Sequence, residues 1–194
     1  AGPSYGGYQA FQWAVDHPDF VDGIVPAVTA PRSDPAATRA AAQRLVDQFS
    51  TDPNWNGGRY YEAGGIAPTL TRMRIELLKF YGAEEQLKPL YPDAAQRQAA
   101  LAALAGKWVA VFDPNSMLVL RRALETFDTV KDFPRLKAKV LYALSRTDKL
   151  FPPSLAPDVM RALEAAAVDA RYVQIDSEMH HLAGGADAGK IAGR

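Results

Sequence analysis

The feature that most constrains this chain is its opening, where residues 2–6 read Gly-Pro-Ser-Tyr-Gly. The G-x-S-x-G spacing is typical of a sharp strand-to-helix turn that holds a serine hydroxyl above the end of a sheet. Glycine at positions 2 and 6 avoids a collision, because such a turn brings the strand and helix backbones together. The pattern therefore predicts that Ser4 is a nucleophile at a strand-to-helix turn.

The pentapeptide by itself does not establish a catalytic serine. Such matches arise by chance, and a segment rich in glycine and serine can also bind a phosphate at a helix N-terminus. The next residues favour the strand-to-helix turn, because a strongly apolar run over residues 8–15 predicts a helix packed on a sheet. Asp16-His17-Pro18 should end that helix.

The balance of charges excludes several classes of partner. The 22 basic and 22 acidic residues give a formal net charge of +0, which argues against nucleic acid or an anionic membrane as the main partner. The chain has no cysteine, so a thiol nucleophile, a disulfide and a cysteine-bound zinc are excluded. Cysteine content leaves the compartment open, and we favour a cytoplasmic location as an expectation.

Turn residues and apolar runs divide the rest of the chain into strands and helices. We expect buried strands over residues 21–29, 139–145 and 170–175, and four helices between the first and second of these strands. Strand, helical insertion, strand, helix and strand predict an α/β fold with a doubly wound, mostly parallel sheet and an inserted helical lid. We place the sheet segments at 1–32 and 133–194, and the lid at 33–132.

A serine hydroxyl needs a nearby imidazole to take its proton, and that imidazole needs a carboxylate to orient it. In doubly wound hydrolases the order along the chain is serine, acid, histidine, with the last two on loops after late strands. Asp148 follows the second predicted strand, and His180 and His181 follow the third. The sequence therefore predicts a triad of Ser4, Asp148 and one of these two histidines.

Simpler roles exist for some of these residues. Asp148 can cap a turn, as aspartate often does after a strand. His17 is most simply a surface histidine beside Pro18. The adjacent histidines could suggest a metal, but no further ligand stands at a usual spacing, and we expect no metal.

Four segments resemble the homoserine O-acetyltransferase family of α/β-hydrolases: GPSYGGYQAFQWAVDHP, DPNWNGGRYY, DKLFPP and IDSEMHHLAGG. They occur in the order of that family across most of the chain. The resemblance implies an α/β-hydrolase fold with Ser4 as nucleophile, Asp148 as acid and His181 as base. It places His180 where the family usually has glycine. It also implies a lid that is often used for dimer contacts, so a homodimer through the lid is an expectation.

Some positions depart from the family pattern. Tyr5, whose backbone N–H should be one donor of the oxyanion hole, stands where the family usually has methionine. Leu182 stands where the family has an aspartate that recognises the substrate amine. Arg74, or less closely Arg72, matches the lid arginine implied to hold the substrate carboxylate.

The position of Leu182 decides which activity we expect. Without an acid there, the ammonium group of homoserine would be unpaired in a partly buried pocket, which is costly. We therefore expect hydrolysis of an ester-like, less polar small-molecule acyl substrate without a cofactor. One alternative is an O-acetyltransferase with acetyl-CoA as co-substrate, and another is a non-catalytic binding or assembly module.

The place of the serine motif in the chain leads to a last expectation. A strand must precede the turn, and only Ala1 and Gly2 precede Pro3. We expect the first half of the sheet and the second oxyanion donor to come from an N-terminal part of the same protein or from a second chain. The 194-residue chain alone should then be inactive.

Overall fold

The computed structural model describes residues 1–191 and divides into two units. An α/β unit comprises Ala1–Arg32 and Phe127–Arg194, and a helical unit comprises Ser33–Thr126. The second boundary lies before the one predicted at 132/133, because Thr129 belongs to the α/β unit. Its backbone N–H and its hydroxyl both donate to the carbonyl of Pro31, at 3.0 and 2.7 Å.

The sheet of the α/β unit is parallel throughout its described pairings. Its strands are β1 (Gly2–Pro3), β2 (Gly23–Ile24), β3 (Pro26–Ala27), β4 (Lys139–Ser145) and β5 (Ala170–Ile175). Strand β1 pairs with β3, both β2 and β3 pair with β4, and β4 pairs with β5. Strands β2 and β3 keep one register along β4, so the predicted strand over residues 21–29 is a single line interrupted at Val25.

Eight α-helices lie in the described part of the chain: α1 (Tyr5–Asp16), α2 (Pro35–Phe49), α3 (Ala67–Phe80), α4 (Ala83–Leu87), α5 (Ala94–Val109), α6 (Pro114–Ala123), α7 (Ala156–Ala165) and α8 (Ala183–Ala186). Helices α1, α7 and α8 belong to the α/β unit, and the others form the helical unit. Among residues 1–191, none of the helices is both long enough and apolar enough to cross a bilayer.

Helix α1 packs on the sheet through buried aromatic rings. The Phe11 ring is fully buried and lies 5.9 Å from the Phe133 ring and 6.4 Å from the Tyr142 ring. The hydroxyl of Tyr142 donates to the carbonyl of Thr29 at 2.8 Å, which satisfies its polar atom inside the core. Burial of each such side chain contributes about 1.5–3 kcal/mol to holding α1 on the sheet.

Three helices of the helical unit begin at aspartate caps. Asp34, Asp93 and Asp113 accept hydrogen bonds from first-turn backbone N–H groups at 2.8–3.0 Å. Each cap contributes about 1 kcal/mol. The unit encloses an apolar core of its own, formed by Phe49, Trp55, Tyr60, Ile66, Leu70 and Leu118.

Candidate active site

Ser4 lies at the turn between β1 and α1. Its backbone angles are φ 53° and ψ −119°, a left-handed φ that costs free energy in any residue except glycine. Its N–H donates to the carbonyl of Ala27 at 2.9 Å, and its carbonyl accepts from the N–H of Gly7 at 2.9 Å. The sheet and the first helical turn therefore hold Ser4 in a strained conformation at the carboxyl end of β1.

Close packing accounts for some of the glycines at this turn. A Cβ atom on Gly2 would lie 2.2 Å from the carbonyl oxygen of Gly6, and one on Gly7 would lie 2.3 Å from Cγ2 of Thr29. A Cβ on Gly6 would meet nothing nearer than Cδ of Pro3 at 3.7 Å. The steric prediction is therefore right for Gly2 and wrong for Gly6, whose backbone makes the contact, and the sequence did not show the need for Gly7.

Asp148 and His181 form a buried pair. Nδ1 of His181 lies 2.9 Å from Oδ2 of Asp148, and the two residues are 6% and 3% exposed. The other carboxylate oxygen accepts from the N–H groups of Leu150 at 2.8 Å and Phe151 at 3.2 Å. The Phe151 ring stacks on the His181 ring at 5.7 Å. Because Nδ1 faces the acid, Nε2 is the ring nitrogen placed for proton exchange.

His180 has a different partner. Its Nδ1 lies 2.8 Å from the carbonyl of Thr147, to which it donates because a carbonyl only accepts, and its backbone N–H donates to Oγ1 of Thr147 at 3.1 Å. Its φ is 48°, in the left-handed region that favours glycine. The structure thus brings His181, and not His180, to the acid, and the catalytic role of His181 stays a prediction.

Three consecutive residues, Arg146 to Asp148, connect the acid loop to the histidine loop. Arg146 pairs with Asp176, Nε to Oδ1 at 2.9 Å, and also with Glu178. Next, the hydroxyl of Thr147 donates to the carbonyl of Ser177 at 2.8 Å. The Arg146 pairs are exposed and contribute little. The buried contacts of Thr147 and Asp148 therefore set the distance between the loops.

Hydrogen bonds of Ser177 also hold the histidine loop in place. The hydroxyl of Ser177 donates to the carboxylate of Asp187 and accepts from the N–H of Met179 at 3.0 Å. The hydrogen bond from Ser177 outweighs burial and, together with Lys190, lowers the pKa of the Asp187 carboxyl. Sequence analysis missed this support because no local pattern links residues in irregular loops.

Two further positions that the sequence analysis singled out directly follow the serine and the histidine. Tyr5 is the first residue of α1, directly after Ser4, which is the position from which a backbone N–H contributes to an oxyanion hole in this class of turn. Leu182 directly follows His181 and is half-buried. Neither role is settled by position alone, and both stay predictions.

The two predicted arginines lie on α3 in the helical unit. The guanidinium carbon of Arg74 lies 4.5 Å from the centre of the Trp108 ring, and burial lowers the pKa of Arg74. Its Nε has no hydrogen-bond partner among residues 1–191. Arg72 donates from Nη2 to Oγ1 of Thr69 at 2.8 Å. Arg74 thus retains an unused donor, and the substrate role of either arginine stays a prediction.

The remaining histidine lies outside this group of side chains. His17 is exposed at the end of α1, with its ring 4.6 Å from the Trp13 ring, as expected for a surface histidine. In the part of the chain that the structure describes, no three histidine, aspartate or glutamate side chains lie close enough together to hold a metal ion.

Comparison with known proteins relates the chain to enzymes. No model of a protein family matches it. Homoserine O-acetyltransferase from Haemophilus influenzae is 31% identical over 201 residues, which cover 93% of this chain and 55% of that enzyme. The chain therefore spans about half the length of the curated relatives it matches.

Two solved structures share its fold. Esterase E22 superposes with a TM-score of 0.79 at 24% identity, over 98% of this chain and 58% of the esterase. Homoserine O-acetyltransferase from Bacillus anthracis superposes with a TM-score of 0.78 at 22% identity, over 98% and 56%. The chain is therefore a homologue of the homoserine O-acetyltransferases, and it forms part of an α/β-hydrolase fold.

Proposed function

We propose that this chain carries the nucleophile, base and acid of a serine-dependent acyl-transfer enzyme that mainly hydrolyses an ester-like substrate. The observation that supports this best is the buried His181–Asp148 pair, with its 2.9 Å contact, in the same unit as the strained Ser4. All three follow parallel strands at their carboxyl ends, where α/β enzymes place their sites. Homology to acyl-transferring enzymes agrees with this assignment.

In the first half of the reaction, Oγ of Ser4 attacks the carbonyl carbon and its proton passes to Nε2 of His181. Asp148 orients the imidazole and stabilises its charged form. The N–H of Tyr5 donates to the oxyanion as it develops. When the tetrahedral intermediate collapses, the imidazolium returns the proton to the leaving alcohol, and the acyl group remains on Ser4.

In the second half, water replaces the alcohol. His181 takes a proton from the attacking water, a second tetrahedral intermediate forms, and its collapse breaks the bond between the acyl carbon and Oγ. The proton on His181 then returns to Ser4, and a free carboxylic acid is released. The enzyme is thereby restored with no net change.

A second candidate is O-acetyl transfer from acetyl-CoA, which the 31% identity to a homoserine O-acetyltransferase favours. Leu182 argues against homoserine as the acceptor. An apolar side chain at that position offers no charge to the ammonium group of homoserine, and an unpaired, partly buried ammonium is costly. Water is therefore the acceptor that we propose.

A fluorophosphonate probe tests the nucleophile in the natural full-length protein, because an activated serine attacks phosphorus as it attacks a carbonyl carbon. We expect one labelled residue, Ser4, and no labelling of Ser4→Ala. Ser50→Ala, at the exposed end of α2, is the matched control and should be labelled like the wild type. Labelling that persists in Ser4→Ala contradicts the assignment.

A second assay tests the acceptor. The wild type should hydrolyse p-nitrophenyl acetate and transfer little acetyl from acetyl-CoA to homoserine. Leu182→Asp should raise transfer to homoserine above that of the uncharged control Leu182→Asn, because only the carboxylate pairs with the ammonium. Efficient transfer by the wild type would favour the acetyltransferase instead.

A further inference from the structure

Helix α8, which follows the histidine turn, approaches the strand that carries the nucleophile at Gly184. A Cβ atom on Gly184 would lie 2.6 Å from Cγ2 of Val28 and 3.2 Å from Cβ of Pro3. Carbon atoms in ordinary contact are separated by about 3.5–4.0 Å. Space therefore requires glycine at this position, and a side chain enters only if α8 or one of its two neighbours moves.

Neither neighbour moves easily. Val28 is fully buried, and its N–H donates to the carbonyl of Ala143 at 2.8 Å. Its φ of 45° is unusual for a β-branched residue, so packing already holds its backbone against strain. Pro3 is held in register with Ala27 by the sheet. A displacement caused by a new side chain therefore falls mainly on α8 and the turn before it.

Ala183 holds the same helix against the sheet. It is fully buried in a cluster with Ala27, Ala143 and Ile175. Alanine side chains on both sides let the helix approach the sheet closely, as close-packed interiors require. Helix α8 is thus held by the sheet at Ala183 and by the nucleophile strand at Gly184.

We propose that Gly184 is a positioning residue that sets how closely His181 approaches Ser4, an inference that rests on the proposed function. The contact with Asp148 fixes one side of the imidazole. Gly184 lies three residues after His181, about one helical turn, and a Cβ on it would lie 3.2 Å from Cβ of Pro3, the residue directly before Ser4. The packing at Gly184 therefore fixes the turn that carries His181 relative to the strand that carries Ser4.

Replacement of Gly184 by alanine should shift α8 by about 1 Å, the difference between the available and the ordinary contact distance. A misplacement of about 1 Å near a reacting group can lower the rate on the order of 10²-fold. We expect this loss in kcat, with KM changed less than about threefold, because the substrate contacts remain. The pH profile should keep its shape, because the variant retains both the imidazole of His181 and the carboxylate of Asp148 that orients it.

Gly185→Ala is the matched control. Gly185 is the next residue of the same helix and is exposed, and a Cβ there would meet no atom within 4 Å. The chemical change is identical, so only the packing differs. Both variants are compared in the natural full-length protein by kcat and KM for p-nitrophenyl acetate, well below the unfolding temperature. Gly185→Ala should stay within about twofold of the wild type.

Val28→Ala in the Gly184→Ala background should restore much of the lost kcat, because it removes the nearest methyl groups. The loss in kcat at nearly constant KM, measured in folded protein, is the readout that a merely structural role would not give. The inference is overturned if Gly184→Ala keeps a kcat within about threefold of Gly185→Ala. If Gly184→Ala alone does not fold, the double variant decides. The proposal is supported if the double variant folds and its kcat lies within about tenfold of the kcat of Val28→Ala. Any other result overturns the proposal.

Wild type and Ser4→Ala in the same series separate this inference from the proposed function. If the wild type shows no turnover that depends on Ser4, the proposed function fails and the positioning role fails with it. If the wild type is active and the Gly184 and Gly185 variants behave alike, only the positioning role fails.

Discussion

The two units of this molecule use glycine for different reasons. In the α/β unit, Gly2, Gly7 and Gly184 exclude a Cβ because other atoms lie within 2.6 Å of where it would be. Among residues 1–191, the glycines with positive φ all lie in the helical unit: Gly57, Gly58, Gly64, Gly65 and Gly82. At these three positions the α/β unit therefore has no room for a side chain, whereas the five positive-φ glycines of the helical unit meet a requirement of backbone conformation.

Aspartate shows a parallel difference. Asp148, in the α/β unit, faces an imidazole that can gain and lose a proton. Asp113, in the helical unit, accepts from the hydroxyls of Tyr60 and Tyr61 and from Ser116, and these neutral donors hold it as a helix cap. The same carboxylate group thus has a proposed role in chemistry in one unit and a role in architecture in the other.

The largest effect that we expect is the difference in kcat between variants of the two neighbouring histidines. His181→Ala should lower kcat on the order of 10⁴-fold, as the loss of a triad member does. His180→Ala removes a contact with Thr147 but keeps the base and its acid, so kcat should fall by no more than about tenfold. Steady-state ester hydrolysis decides between them. Near-normal turnover in His181→Ala, with loss in His180→Ala, would reverse the assignment.

Much of the site could be predicted from sequence because its signals are local or topological. Apolar runs predicted the bounds of β4 and β5. Strand order then brought Asp148 and His181 to neighbouring loops. The contacts of Gly184 could not be predicted, because they join residues more than about 150 positions apart, beyond the reach of any local pattern. The sequence pattern was also misleading at Gly6, where the contact uses backbone atoms.

The next effect tests the role of space in the α/β unit. Gly2→Ala should lower the free energy of unfolding by about 3 kcal/mol, the upper range for a side chain forced into a packed region. Gly6→Ala is the matched control, since its Cβ would meet only Pro3 at 3.7 Å. It should change stability by less than about 1 kcal/mol. Urea unfolding measures both, and equal losses would contradict the steric argument.

In the helical unit, removal of a capping carboxylate should lower the free energy of unfolding by less than Gly2→Ala does. Asp113→Ala removes a helix cap and leaves Tyr60, which is buried, without its acceptor, so we expect a loss of about 2 kcal/mol. Asp34→Ala, which removes a cap alone, should cost about 1 kcal/mol. Thermal unfolding compares them, and a larger effect at Asp34 would contradict the role given to the tyrosines.

The pH dependence of Asp113 sharpens this test. Burial would raise the pKa of Asp113, but hydrogen bonds from Tyr60, Tyr61 and Ser116 outweigh it and hold the pKa below its usual value of 3.8. A carboxyl with a lowered folded-state pKa stabilises the fold above its usual, unfolded-state pKa, and this stability is lost as pH falls through the folded-state value. The stability difference between wild type and Asp113→Asn should therefore be largest above about pH 4 and shrink in more acidic solution.

The smallest effect tests whether backbone conformation alone accounts for the glycines of the helical unit. Gly106 lies inside α5 in an exposed position with no atom within 4 Å of its missing Cβ, and its φ is not positive. Gly106→Ala should raise stability by about 0.5–1 kcal/mol, because alanine loses less conformational entropy in a helix. Gly64 is equally open but has a φ of 86°, so Gly64→Ala should lower stability by about 1 kcal/mol. Chemical unfolding measures both variants. A gain in stability for Gly106→Ala and a loss for Gly64→Ala would show that φ, and not space, requires glycine at position 64. A loss of stability in both variants would contradict this.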